Sequence, residues 1–316
     1  MSYFVFDMDQ TIAELQSVYY FIAALTSRPT VMQYRATYFT DKLEKQLEKA
    51  YELFVKSVAK EEHSPHPLGI LRPGILHIME QLYQLKKMGK VLTVVIYSNN
   101  SHLESLYFIR DVIHAHLGTK RLITECIHWF HPKRNADKIM YKNTNGSMSK
   151  SWESLKDIMV NGPIKAPDLI EPMDIHFFDD LNHEALSKPL KHHYHKVPPY
   201  DFKASFDRIS VLFLQALKEA HVDVDGYSFM LYDTYADDTS VKHVDTENLS
   251  IMEDVLDIFE YNTGKTAAVL DLAPPSDKGI EIMHEVVENV KKGPTRERLK
   301  RKRNYTYKRR RLTVRR

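Results

Sequence analysis

The chain is expected to fold as an α/β protein with a parallel sheet covered by helices on both faces, and three observations lead there. Short, mainly apolar stretches occur at residues 3–6, 91–97, 123–130 and 175–178, as suits strands of a buried parallel sheet. Helical patterns separate them, the alternation that builds βαβ units. Three of the runs end in polar residues able to do chemistry: Asp7 and Asp9, Ser98, and the pair Asp179 and Asp180.

The elements follow in order. Residues 3–6 form the first strand, and Asp9 opens a loop into a mixed apolar stretch that reaches Leu25. Residues 30–62 read as a helix, because Leu43, Leu47, Ala50, Phe54 and Val58 recur at spacings of three and four. Pro65 and Pro67 forbid its continuation. After Arg72, Pro73 and Gly74, a second helix carries Ile75, Ile78, Met79, Leu82 and Leu85 on one face and stops near Gly89. The β-branched run at 91–97 is the second strand, and residues 102–116 are an amphipathic helix closed by Gly118. A third strand is expected at 123–130, a polar loop at 132–149, a helix near 149–159 and a fourth strand at 175–178. Pro198 and Pro199 mark a boundary. Beyond them, a helix at 202–220, a strand at 227–232 and helices near 251–259 and 279–290 suggest a mixed α/β unit.

Composition narrows the class. A chain of 316 residues can bury a full core and leave material for a second unit. With 43% hydrophobic and 27% charged residues it has the balance of a soluble globular protein. No segment approaches the ~20 apolar residues that cross a bilayer, so no membrane partner is expected. The apolar residues 18–25 follow acidic and polar residues, which disfavours a signal peptide. The single cysteine, Cys126, rules out an internal disulfide and fits a reducing, intracellular compartment, cytoplasmic or nuclear. Ten glycines argue against a glycine-rich phosphate loop. The net charge of +2 conceals an asymmetry: residues 291–316 carry +13, leaving −11 on residues 1–290. Such a tail is suited to a polyanion or an acidic partner and should be disordered when free.

Ligands of open parallel sheets sit outside the carboxyl ends of the strands, so Asp7, Asp9, Ser98 and the 179–180 pair should converge. One carboxylate there can attack phosphorus and split a hard hydrolysis into two easier steps. A second, two positions on, can protonate the leaving oxygen and then activate water. Several acids together call for a divalent cation, and oxygen ligands favour Mg²⁺.

These residues carry a resemblance. Residues 4–11, an apolar strand followed by Asp7, Asp9 and Thr11, resemble the first motif of the haloacid dehalogenase superfamily. Residues 95–100, ending a strand at Ser98, resemble its second motif, and residues 177–180 its fourth. Arg72, Pro73 and Gly74 ahead of a helix are similar to the branch related to phosphatases of the RNA polymerase II C-terminal domain. The resemblance spans roughly residues 1–185 and implies a Rossmannoid three-layer core. It makes Asp7 the nucleophile and a metal ligand, and Asp9 the general acid/base, its backbone carbonyl also on the metal. Thr11 would support the loop, Ser98 would bind phosphoryl oxygens, and Asp179, Asp180 or both would complete the Mg²⁺ site. A lysine must balance the phosphate; Lys150 is the choice, with Lys156 next.

Other features have plainer readings. His192, His193 and His195, with His183 nearby, read as a solvated loop. Asp223, Asp225 and Gly226 lack the closing Glu of a calcium loop. Cys126 reads as a core filler, and Tyr19, Tyr20, Phe21, Tyr34, Tyr38 and Phe39 as core aromatics. The expected organisation is a phosphatase core at 1–197 with a cap-like helical insert at 30–67, an accessory region at 198–290 and the basic tail. The insert is small, which suits large phosphorylated substrates, protein or nucleic acid. The expected activity is a Mg²⁺-dependent phosphomonoesterase. The alternatives are a non-catalytic scaffold, for instance in a nucleoprotein or viral particle, and a polynucleotide phosphatase whose tail holds nucleic acid.

Overall fold

The central strand is built from the first apolar run. In the computed structural model, β1 (Ser2–Phe6) lies between β2 (Val91–Tyr97) and β4 (Ile175–Asp179), and β3 (Ile123–Ile127) and β5 (Tyr194–Lys196) close the edges. All four pairings are parallel, in the order β3-β2-β1-β4-β5. The structure describes residues 2–15, 18–26, 41–143, 148–164, 166, 170–200, 204–223 and 277–293. The strand expected at 227–232, the helix at 251–259 and residues 294–316 of the basic tail lie outside the described residues.

Alternation along β1 divides the core. Phe4 and Phe6 join one hydrophobic cluster, while Tyr3 and Val5 join the other. Phe6 and Phe178 stack at 4.8 Å and Phe4 and Phe178 at 6.0 Å, so the sheet's first face is largely aromatic. That face is covered by α1 (Tyr19–Thr26), α2 (Asp41–Glu62), α3 (Ile75–Lys87) and α4 (Leu103–Leu117). The opposite face is covered by α6 (Trp152–Asn161) and α7 (Glu184–Leu190), which bury Leu155, Ile158, Met159, Leu186 and Leu190. Each such side chain contributes about 1.5–3 kcal/mol when fully buried. Helices on both faces explain why β1 and β2 read as mainly apolar runs.

The elements beyond residue 198 pack into the same core. α8 (Phe206–Glu219) sets Ile209, Phe213 and Leu217 against α2, and α9 (Lys278–Lys292) sets Met283 and Val287 against α3. The described part of the insert, α2, packs on α1, α4 and α8. Among the described residues no helix is long and apolar enough to cross a membrane.

Three expectations are corrected. The third strand ends at Ile127 rather than 130, because Trp129 turns away to donate its backbone N–H to Asn100 O at 2.9 Å. The polar loop at 132–149 contains a helix, α5 (Asn135–Asn143). The histidine stretch is a fifth strand with a preceding turn rather than a solvated loop: Tyr194, His195 and Lys196 pair with Phe177, Phe178 and Asp179. His195 meets His176 at 3.1 Å, and burial pushes both rings down, to about 4 and about 3.

Arg72 joins segments that lie far apart along the chain. It is 2% exposed and donates to Thr11 O at 2.9 Å and Pro198 O at 2.7 Å, while its Nε meets Asp277 Oδ2 at 2.7 Å. Asp277 also caps α9, accepting from Gly279 N at 2.8 Å. A Cβ at Gly279 would stand 2.5 Å from the Arg72 guanidinium, which those bonds hold in place. Alanine favours helices over glycine by about 0.8–1.0 kcal/mol, yet Gly279→Ala is expected to destabilise by about 1–3 kcal/mol through overpacking. Urea unfolding measures this, and a variant more stable than the wild type would show that the guanidinium can move.

Candidate active site

Strand register brings the site together. Phe6 aligns with Ile96 on one side and Phe178 on the other, so Asp7, Ser98 and Asp179 leave the sheet at one edge. The chain builds β2 and β3 on one side of β1 and then crosses to β4 and β5. That reversal between β1 and β4 opens the crevice where open α/β sheets bind ligands.

Asp7, Asp179 and Asp180 are buried there, and one carboxylate oxygen from each lies within 4.8 Å of the others. At 4.8 Å and an effective dielectric near 20, each like-charge pair costs roughly 3.5 kcal/mol. Lys150 offsets part of this. It is fully buried, with Nζ 2.8 Å from Asp7 Oδ1 and 2.9 Å from Asp179 Oδ2. Asp179 Oδ1 accepts from Leu181 N at 2.9 Å. Thr11 Oγ1 donates to Asp180 Oδ1 at 3.1 Å and accepts from Asp180 N at 3.0 Å.

Titration follows this crowding. Burial pushes the Asp7 carboxyl up to about 7; Lys150 opposes the rise and Asp179 adds to it. Burial likewise raises Asp9 and Asp180, the latter with help from Asp179. For Lys150, burial acts to lower the ammonium, and its ion pairs with Asp7 and Asp179 outweigh burial and hold it above its ordinary range. His183 Nε2 lies 3.5 Å from Asp179 Oδ2, but burial and then Lys150 push its ring down to about 4. A neutral imidazole adds no counter-charge.

Asp9 stands slightly apart. Its Oδ2 accepts from Ser98 Oγ and Asn100 Nδ2, each at 3.3 Å, and its carboxylate is not one of the three converging groups. Ser98 Oγ also accepts from Asn100 N at 3.0 Å. Gln10, between Asp9 and Thr11, has φ of +57°, a strained value for a residue with a Cβ.

The structure thus brings Asp7, Asp9, Ser98, Lys150, Asp179 and Asp180 to one sheet edge. Lys156 is left exposed on α6. Sequence reasoning missed Asn100, Arg134 and Asp137. Asn100 was visible two residues after Ser98, but nothing in the sequence marked the buried pair of Arg134 and Asp137.

The donors suit a hard cation. All three are carboxylates, and one ammonium, Lys150, is shared between Asp7 and Asp179. One further positive ion there would satisfy a lone pair and the residual negative charge together. Comparison of the chain with family models, with curated proteins and with solved structures returned no match.

Removing Lys150 would leave Asp7 and Asp179 buried without their counter-charge. Lys150→Met is therefore expected to cost roughly 3–5 kcal/mol in chemical denaturation. A loss below about 1 kcal/mol would mean the ion pairs do little for the folded state.

Proposed function

We propose that the chain is a Mg²⁺-dependent phosphomonoesterase of haloacid-dehalogenase type, working through an aspartyl-phosphate on Asp7. The observation that carries this reading is the buried cluster itself. Asp7 meets Lys150 at 2.8 Å and sits beside Asp179 and Asp180 at the sheet's crevice. Asp7, Asp179 and Asp180 would hold the cation. When bound, Mg²⁺ supplies charge neutralisation for the carboxylates and for the transferring phosphoryl group.

The chain's own groups account for the rest. An Asp7 oxygen attacks phosphorus, the P–O bond to the leaving group breaks, and Asp9 gives the leaving oxygen its proton. In the second step Asp9 takes a proton from water, the water oxygen attacks phosphorus, and Asp7 is released with inorganic phosphate. Lys150 holds Asp7 and Asp179 in place and offsets phosphoryl charge. Ser98 and Asn100 fix the Asp9 carboxylate, with Ser98 beside the phosphoryl position. Thr11 ties the loop carrying Asp9 to Asp180.

The wild type with millimolar Mg²⁺ is expected to hydrolyse p-nitrophenyl phosphate and to stop when EDTA removes the ion. Asp7→Asn should reduce turnover to background, and Asp9→Asn should reduce it by about 10²–10⁴-fold. Asp7→Asn turning over like the wild type would exclude the aspartyl-phosphate. Equal inactivity of both across phosphopeptides and 5′- or 3′-phosphorylated oligonucleotides would point to a non-catalytic scaffold.

A further inference from the structure

Outside the carboxylate cluster the described residues hold a buried ion pair that the catalytic steps do not use. Arg134 and Asp137 are both fully buried, and Arg134 Nε meets Asp137 Oδ2 at 2.7 Å. The guanidinium lies between the rings of Tyr97 and Trp129, 4.6 and 4.9 Å from their centroids. Its Nη1 donates to Ser98 O at 2.6 Å and its Nη2 to Asn99 Oδ1 at 2.7 Å, with Ser149 O further off at 3.5 Å. Asp137 extends the contact: Oδ1 accepts from Ser151 Oγ at 2.5 Å, and Oδ2 also accepts from Tyr97 OH. The Asp137 N–H donates to Ser154 Oγ at 3.2 Å, and Ser151 caps α6 by accepting from Ser154 N at 3.2 Å.

These contacts fall beside the reacting groups rather than on them. On one side the pair grips the carbonyl of Ser98, whose hydroxyl holds Asp9. On the other it grips Ser151 and approaches Ser149, the two neighbours of Lys150. Residues 98–99 and 149–151 come from distant parts of the chain, and the planar guanidinium with its carboxylate spans them. A buried charge pair is seldom the most stable filling of such a space, since apolar residues of similar volume often serve as well or better. What apolar residues cannot supply is directed hydrogen bonds to both loops.

We propose that Arg134, through Asp137, is a positioning residue that sets the Ser98 loop and the Lys150 loop in register across the active site. The proposal rests on the phosphatase reading for its catalytic consequence, but its structural content stands apart from it. Lysine at 134 would keep the charge opposite Asp137. As a point donor it could not reach Ser98 O and Asn99 Oδ1 in the same fork.

The test uses the full chain and two variants, Arg134→Lys and the apolar replacement Arg134→Met with Asp137→Leu. Each is checked for cooperative melting before its kinetics and amide hydrogen exchange are measured. In a folded variant, kcat on p-nitrophenyl phosphate with Mg²⁺ should fall about 10- to 100-fold, as for a misplaced reacting group, with KM within about threefold. Exchange of amides in 97–101 and 148–152 should quicken at least about tenfold while α2 keeps its wild-type protection. If Arg134→Lys melts without cooperativity, Asp137→Asn carries the same measurements, with faster exchange expected at 148–152. A folded variant with wild-type kcat, or unchanged exchange in both loops, overturns the proposal. Should the wild type hydrolyse no phosphomonoester, the phosphatase reading fails, and exchange alone decides on the pairing of the loops.

Discussion

Burying three carboxylates within 4.8 Å of one another sets an electrostatic demand that one ammonium meets only in part. Much of the surrounding structure serves to hold these groups in place despite it. A loop by itself would splay such acids apart into water, where repulsion is screened. Here each acid leaves a strand of a sheet buried on both faces, or follows the residue that does. The backbone therefore cannot relax without uncovering the aromatic face of Phe4, Phe6 and Phe178. Hydrophobic burial is thereby converted into local electrostatic strain, and a cation is the direct means of relieving it.

Two buried arginines brace this edge from opposite sides. Arg72 holds the carbonyl of Thr11 and reaches Pro198 and the cap of α9, so the loop carrying Asp9 is tied to both later segments. Arg134 holds the carbonyl of Ser98 and, through Asp137, the residue after Lys150. In both cases a planar, multidentate cation gathers backbone carbonyls from separate segments. Neither residue is in an ion pair with Asp7, Asp179 or Asp180.

The parts legible in the sequence were those written in apolar pattern. β2 was expected at 91–97 and found there, and α4 ends at Gly118, which adopts φ of +61°. Asp7 and the 179–180 pair were legible because each follows such a run. What could not be read was structure held by polar contacts. Among the described side chains of α5, Asp137 alone is buried, so the helix has no apolar stripe to reveal it. β5 has three residues, two of them half-buried and Lys196 exposed, and its identity comes from pairing with β4. Lys150 was already the choice over Lys156 in the sequence; in the structure Ser151 caps α6, so Lys150 falls just before the helix while Lys156 lies on its exposed side.

Several features that run against ordinary stability meet at the carboxylate edge. Gln10 holds a positive φ, Lys150 and Arg134 are fully buried, and Asp7 and Asp180 are raised by burial, all in the loops at one sheet edge or in their direct support. Others lie elsewhere: Lys191 and His221 also hold positive φ, and burial raises the Glu62 carboxyl to about 8. Cys126 is buried in the core, and burial pushes its thiol up to about 12. Apolar residues of similar volume often replace buried charge pairs at little or no cost. The proposed phosphatase site would give those beside Asp7 a use, since local rules are expected to fail where function demands it.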